Sequence, residues 1–353
     1  MKTIGMIGNF GSRIGGQTTK TNELYQALEK RYGFVNRADV QVLKKNAFAG
    51  IRQLVHLLRD SSDVIIILAS PGYFKILPML LAANIYYKRN FYEVVIGGVR
   101  DQYIQKKRYR LRWEKSIKKI YAESDDMVRR YQQLGLFQAV RLSNFKHLNI
   151  VTEAELREVF SDSSCGQGTK RPLRLCTFSR IDRWKGIDTA VSVVRFVNSS
   201  YGKPVARLDI FGPVDPDYEK EFCRLLCGGA DDVKYGGILD TGMATGILKK
   251  YDALLFPTKW LTEGFPGTFM DAMAAGLPVL ASERENFKGI IKNGCNGYLI
   301  RGDGNIQAYA DKIYNWYENR DQLLTQKKNS LKEAEKYRAD QVLMQIWKDI
   351  EAG

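Results

Sequence analysis

Glu263-Gly-Phe-Pro266-Gly-Thr-Phe-Met-Asp271-Ala-Met-Ala-Ala-Gly276-Leu-Pro278-Val-Leu-Ala-Ser282 is the stretch that decides the fold of this chain. One carboxylate sits in a Gly/Pro turn, and a second follows eight residues later. Pro266 suits the first helical position, where its missing N–H costs nothing and its fixed φ is already helical. Residues 268–275 are rich in helix formers, Gly276 suits the left-handed C′ position, and Pro278 blocks continuation. Residues 279–282 then resume as a buried strand. Such a loop brings backbone N–H groups and a carboxylate to a helix N-terminus, which suits a polyhydroxylated anion.

Outward from this segment the same alternation recurs. Towards the N-terminus, strands are expected at residues 3–7, 38–43, 64–68 and 93–96. Helices are expected at 21–32, 47–59, 74–87 and 103–119, and segments 120–123, 125–134 and 140–142 complete the series. Residues 153–170 read as a polar, glycine-containing linker. A second series follows, with strands at 174–178, 207–211, 233–235 and 253–256 and helices at 186–197, 217–226 and 241–250. Terminal helices are expected at 306–327 and 331–350. Repeated β/α units predict doubly wound parallel sheets. The 353 residues allow two domains of roughly 150–180 residues each. The expected division is 1–165, 166–335 and a final segment 336–353.

Composition narrows the class. Hydrophobic residues make up 44% and charged residues 26%, as in a soluble globular protein. The five cysteines are scattered, without the spacing or histidine partners of a zinc site, and read as reduced cytosolic thiols. The N-terminal apolar run is too short for a signal peptide and reads as a first strand. The net charge of +15 is uneven: residues 1–165 carry 27 Lys/Arg against 15 Asp/Glu, and the remainder 27 against 24. Half of the surplus in residues 1–165 lies between positions 100 and 130, where 11 Lys/Arg stand against 5 Asp/Glu, interleaved with Tyr103, Tyr109, Trp113 and Tyr121. Surfaces of this kind attract phosphates, and the asymmetry favours an anionic membrane surface. Location is therefore expected to be cytoplasmic, peripheral on the inner face of a membrane.

The segment 263–271 resembles the E-x7-E signature of retaining glycosyltransferases of the GT-B fold, particularly glycosyltransferase family 4. The resemblance implies two facing Rossmann-like domains with a cleft between them and a last helix crossing back to the first. It implies that Glu263, Gly264, Phe265, Pro266, Gly267 and Thr268 hold the donor sugar. Asp271 stands where the family has Glu and takes the ribose; one methylene shorter, it reaches through a small shift or a water. Phe178-Ser-Arg180-Ile-Asp-Arg-Trp-Lys185-Gly186 is similar to the family's R…KG element, in which Arg180 and Lys185 hold the donor diphosphate. Prepositioned cations of this kind stabilise the charge that grows on the leaving group.

The resemblance also assigns Gly15 and Gly16 of the first glycine-rich loop to the donor and Gly212 and Gly236 to the base, while Lys20 at the end of that loop is an acceptor-side candidate. Asp101, after Gly97-Gly98-Val-Arg100, is an acceptor-side candidate. The 353 residues contain only His56 and His147, neither at the loop where many family members place a histidine. Lys20-Thr21 fails the P-loop pattern, since Thr19 precedes the lysine. The nearest approach to a metal-holding DxD tripeptide is Asp215-Pro-Asp217, whose proline constrains the geometry, so metal independence is expected and no cofactor besides the nucleotide-diphosphate sugar. The expected activity moves a sugar from a UDP or GDP donor to a lipid-linked or glycan acceptor. Two alternatives stay open. One is a basic nucleic-acid-binding protein, for which no recognised motif is present; the other is a sugar-nucleotide epimerase of the same fold.

Overall fold

The structure, a computed structural model, describes residues 2–11, 16–161, 170–227, 232–239, 244–261 and 263–352. Two compact units emerge: Met1–His147 with Tyr337–Gly353, and Leu148–Lys336. Each is built on a six-stranded parallel sheet.

In the first unit the order along the chain is β1 (Ile4–Gly8), α1 (Gly16–Tyr32), β2 (Val35–Asp39), α2 (Val40–Lys45), α3 (Ala47–Asp60), β3 (Asp63–Ile67) and α4 (Ser70–Tyr87). It continues with β4 (Asn90–Val94), α5 (Arg100–Lys106), α6 (Arg110–Glu114), β5 (Lys119–Ala122), α7 (Asp125–Gln133) and β6 (Ala139–Arg141). Strand order is β2-β1-β3-β4-β5-β6. Residues of β1 and β3 are apolar or glycine almost throughout and fully buried, as strands covered on both faces must be. One face packs against α3 to α7, through residues such as Leu57, Leu77, Ile104 and Tyr131. The other is covered by α1 and by α15 (Ala339–Val342) and α16 (Met344–Ala352), through Leu24, Leu28, Leu343 and Ile346. Tyr121 donates to Asp349 at 2.9 Å and Arg31 pairs with Glu351 at 2.5 Å, fastening the C-terminal helices to this unit.

The second unit runs α8 (Glu153–Ser161), β7 (Leu173–Phe178), α9 (Ile187–Ser200), β8 (Ala206–Phe211), α10 (Glu219–Leu226), β9 (Val233–Gly237) and α11 (Ala244–Leu248). Then follow β10 (Ala253–Phe256), α12 (Gly267–Ala274), β11 (Val279–Ser282), β12 (Gly297–Ile300), α13 (Ile306–Glu318) and α14 (Arg320–Glu335). Strand order is β12-β11-β10-β7-β8-β9. The order reverses at β7, between β10 on one side and β8 on the other, which is where open α/β sheets bind ligands.

Several expectations are corrected. The strand expected at 38–43 ends at Asp39, whose carboxylate accepts from Gln41 N at 2.9 Å and caps α2. The single basic helix expected at 103–119 is two short helices, because Arg110 folds back to donate to Tyr103 O at 2.7 Å and stacks over Phe74. Residues 153–161 are helical where a linker was expected: Thr152 and Glu155 exchange hydrogen bonds of 3.2 and 3.0 Å in a capping box. Residues 148–161 group with the second unit, with Leu156 packed against Leu331. The terminal helices break at Asn319 and after Lys336.

The basic stretch also hides a buried network. Arg100 is fully buried, pairs with buried Glu93, donates to Leu68 O and stacks over Tyr73 at 4.1 Å. Tyr73 Oη lies 3.0 Å from Glu93 and 3.2 Å from Glu114. Burial pushes the Glu114 carboxyl up to about 7, against the opposing pull of Arg100. A carboxyl whose native pKa is raised stabilises the fold fully below its unfolded value near 4.5, and that contribution is lost as pH rises through about 7. Melting temperature measured across this range is therefore expected to fall more steeply in the native protein than in Glu114→Gln. Parallel curves would exclude this account.

Candidate active site

Two loops leave neighbouring strands at the switch point and are sewn together by their backbones. The loop after β7 carries Arg180 to Gly186; the loop after β10 carries Pro257 to Pro266. Lys259 N donates to Trp184 O at 2.8 Å, and Trp184 N is held by Asp182 Oδ1 at 2.8 Å. Gly186 has φ 69°, and a Cβ there would lie 1.8 Å from Pro257 O. Only glycine permits this approach.

The approach brings Lys185 to Glu263. Lys185 Nζ lies 2.5 Å from Glu263 Oε2, both side chains largely buried, with the ammonium 5.7 Å from the centre of the Phe256 ring. Buried Thr258 places its hydroxyl 3.3 Å from the same carboxylate oxygen and accepts from Trp260 N at 3.2 Å. Asn286 Nδ2 donates to Glu263 O at 2.9 Å. Arg284, itself buried, donates to Thr258 O at 2.6 Å and Trp260 O at 3.1 Å while pairing with Asp303 at 2.7 Å. Trp184 and Trp260 meet edge to face at 6.1 Å, both about half exposed beside the pair.

α12 starts just beyond, with Pro266 at the N-cap, one residue earlier than its expected place. Thr268 donates to Phe178 O at 2.7 Å, tying the first turn of α12 to the end of β7. Gly264, Phe265 and Pro266 are partly exposed and Gly267 exposed, so the loop and the first N–H groups of the helix line accessible space. Asp271 is buried one turn further along. The helix closes as the sequence predicts: Gly276 has φ 72°, its N–H bonds Met273 O at 2.9 Å, and Leu277 N bonds Ala272 O at 2.8 Å.

Arg180 stands exposed directly after β7, with its flanking amides bonded to the segment after β8: Ser179 to Phe211 O at 3.1 Å and Ile181 to Pro213 O at 2.9 Å. Gly212 and Gly236 serve that close packing. A Cβ on Gly212 would lie 1.8 Å from Ser179 O, and one on Gly236 2.1 Å from the Phe211 ring. Gly212 N–H is taken by Gly237 O at 2.9 Å, and its carbonyl accepts from Tyr235 Oη at 2.9 Å.

The candidates of the first unit are already partnered. Lys20 is buried and pairs with Glu123 at 2.7 Å. Asp101 is buried at the start of α5 and pairs with Arg130 at 3.1 Å, while Arg130 also donates to Gly98 O at 3.0 Å. Gly16 opens α1, and a Cβ there would meet open space. Gly15 lies outside the described residues. His147 pairs with Glu23, and His56 lies exposed on α3. Among the described residues, no group of three His, Cys, Asp or Glu side chains is placed to hold a metal ion.

Sequence reasoning missed Arg284, Asn286, Thr258 and the two tryptophans. Trp184 directly precedes Lys185, so that aromatic had a visible signal. Arg284 and Asn286 act on backbone carbonyls from beyond the next strand, where spacing says little, and Thr258 and Trp260 sit in the Glu263 loop without a motif to mark them.

Residues 167–336 match the family described as glycosyl transferases group 1. Among curated proteins, the amylovoran biosynthesis glycosyltransferase AmsK of Erwinia amylovora is 28% identical over 146 residues, 40% of this chain and 35% of that protein. The GtfA subunit of UDP-N-acetylglucosamine–peptide N-acetylglucosaminyltransferase from Streptococcus pneumoniae is 30% identical over 171 residues, 45% of this chain and 31% of that protein. The chain thus spans about a third of the length of the curated relatives it matches. Over its full length it superposes on Anabaena Alr3699/HepE, solved in complex with UDP and glucose, with TM-score 0.72, 15% identity and full coverage of both chains. The architecture is that of the GT-B glycosyltransferase fold. Its second unit matches the group 1 glycosyl transferase family over residues 167–336.

The approach of Gly186 to Pro257 sets the Lys185–Glu263 geometry. Gly186→Ala is expected to lose roughly 2–5 kcal/mol of stability from the left-handed φ and the clash together. Urea unfolding followed by tryptophan fluorescence reads this; a loss below about 1 kcal/mol would show that the loops adjust freely.

Proposed function

We propose that this protein is a retaining glycosyltransferase that moves a sugar from a nucleotide-diphosphate donor to a lipid-linked or glycan acceptor. The observation that carries the reading is the Lys185–Glu263 pair at the switch point, in the unit that also carries exposed Arg180 just after β7 and the N-terminus of α12. Arg180 and Lys185 hold the diphosphate. Glu263 and the backbone of Gly264 to Gly267 hold the sugar hydroxyls. Asp271, beneath the first turn of α12, takes the ribose. UDP is the favoured donor base, since one relative bears UDP-N-acetylglucosamine in its own name.

Transfer needs little more than placed charge. The C1–O bond to the diphosphate breaks with its electron pair going to the phosphate oxygen. The acceptor oxygen bonds to C1 from the same face, and its proton passes to that leaving oxygen. Charge builds on the diphosphate, so cations and helix N–H groups there stabilise the transition state more than the ground state. This scheme uses no metal and no further cofactor. The basic first unit keeps the enzyme at an anionic membrane on the cytoplasmic face, where a lipid-linked acceptor is found.

Calorimetric titration with UDP, GDP and their sugars tests the reading. Binding is expected at micromolar to millimolar concentrations, and Arg180→Ala is expected to weaken it by at least about tenfold, as losing a charge-assisted contact to phosphate would. Glu263→Gln should retain nucleotide binding but lower turnover roughly 10²–10³-fold. Absence of any nucleotide binding, or full turnover in Glu263→Gln, would sink the proposal.

A further inference from the structure

The first unit combines apolar and cationic surface on one helical layer. α3 packs Leu54, Leu57 and Leu58 inward and presents Phe48, Ile51 and Val55 outward, 80%, 45% and 42% exposed. At spacings of three and four these outward residues form a single stripe. Exposed Lys44 and Lys45 end α2 just before it, and exposed Arg52 lies within it. A cavity of ≈ 470 Å³ beside the stripe is lined by Arg37, Arg52 and His56 together with Phe48. The neighbouring α4, packed on the same face of the sheet, adds exposed Lys75 and Met79.

Charge on this layer has one sign. Residues 40–89 contain Lys44, Lys45, Arg52, Arg59, Lys75, Lys88 and Arg89 against two acids, Asp60 and Asp63. Asp63 is buried and Asp60 pairs with Arg59 at 2.7 Å, so neither leaves free negative charge outside. The layer therefore matches an anionic partner in charge and an apolar one in surface. A bilayer with acidic headgroups offers both at once: phosphate at the surface and hydrocarbon a few ångströms below. A nucleic acid offers only the first.

We propose that the α2–α3 edge of the first unit docks on an anionic lipid bilayer. Arg37, Arg52 and His56 take a lipid phosphate, and Phe48, Ile51 and Val55 enter the headgroup layer. This refines the membrane part of the proposed function, and it moves the contact away from the basic run at 100–130. That run is poorer than its sequence suggests, since Arg100 is buried, Arg110 covers Phe74 and Arg130 is paired.

Sedimentation with phosphatidylcholine vesicles, with and without phosphatidylglycerol, tests the docking surface. The full chain is expected to bind only the anionic vesicles, and less so as salt rises. Phe48→Ser/Ile51→Ser and Lys44→Glu/Lys45→Glu should each lower partitioning at least about tenfold, since each surface cation contributes roughly that order near an acidic membrane. Lys106→Glu/Lys107→Glu/Arg108→Glu should change it by less than about threefold. UDP binding in each variant, measured in parallel, reports on folding and on the transferase reading separately. If the 106–108 variant loses binding while the α3 variants keep it, the α2–α3 assignment is overturned and the membrane reading stands. If no variant and no native protein binds anionic vesicles at low salt, or RNA binds where vesicles do not, the docking proposal is overturned outright.

Discussion

The close approach of Gly186 to Pro257 is the constraint on which the second unit's site depends. β7 and β10 are parallel neighbours, so their following loops leave the sheet on the same edge. Any side chain at position 186 would hold those loops apart. With none there, Trp184 O receives Lys259 N, and Lys185 swings within reach of Glu263. Arg284 then locks the second loop from the far side through two carbonyls, and Thr268 locks α12 to β7. The carbonyls of Trp184, Thr258, Trp260 and Glu263 each accept a hydrogen bond from within the unit.

The first unit spends its charge differently. Arg100, Glu93, Glu114 and Tyr73 form a buried polar centre under α4 to α6, where an uncompensated carboxylate would be costly. Lys20 and Asp101 are likewise taken up by Glu123 and Arg130. A raw surplus of cations therefore overstates what reaches the solvent between positions 100 and 130. It understates the α2–α3 edge, where Lys44, Lys45 and Arg52 are exposed and Asp60 is taken up by Arg59.

Much of this was legible in the sequence because it rests on local rules. Gly276 and Pro278 end α12 by backbone preference alone, and the apolar run at 64–68 could only be a central parallel strand. The R…KG and E-x7-D segments were legible as a pair, since each carries its own turn chemistry. What was hidden depends on side chains that act at a distance. Asp39 ends a strand by turning to cap the next helix, and Arg110 splits a helix by reaching back to Tyr103. The Thr152–Glu155 capping box was written in the sequence but lay in a stretch whose polarity reads as linker. Arg284 and Asn286 reach the site from beyond β11, and no spacing rule connects them to it.

The ion pair between Lys185 and Glu263 also sets a condition on selectivity. An incoming anion finds the lysine already matched by an internal counter-ion. A simple phosphate that draws the ammonium away leaves Glu263 stranded in a largely buried place, with an energetic penalty for the orphaned charge. Under the proposed function a sugar diphosphate supplies the remedy, since its hydroxyls can donate to the carboxylate that its phosphates displace. On that reading the closed pair favours ligands carrying both chemistries over the plain phosphates that crowd any cell, by repulsion of the wrong ligand as much as attraction of the right one.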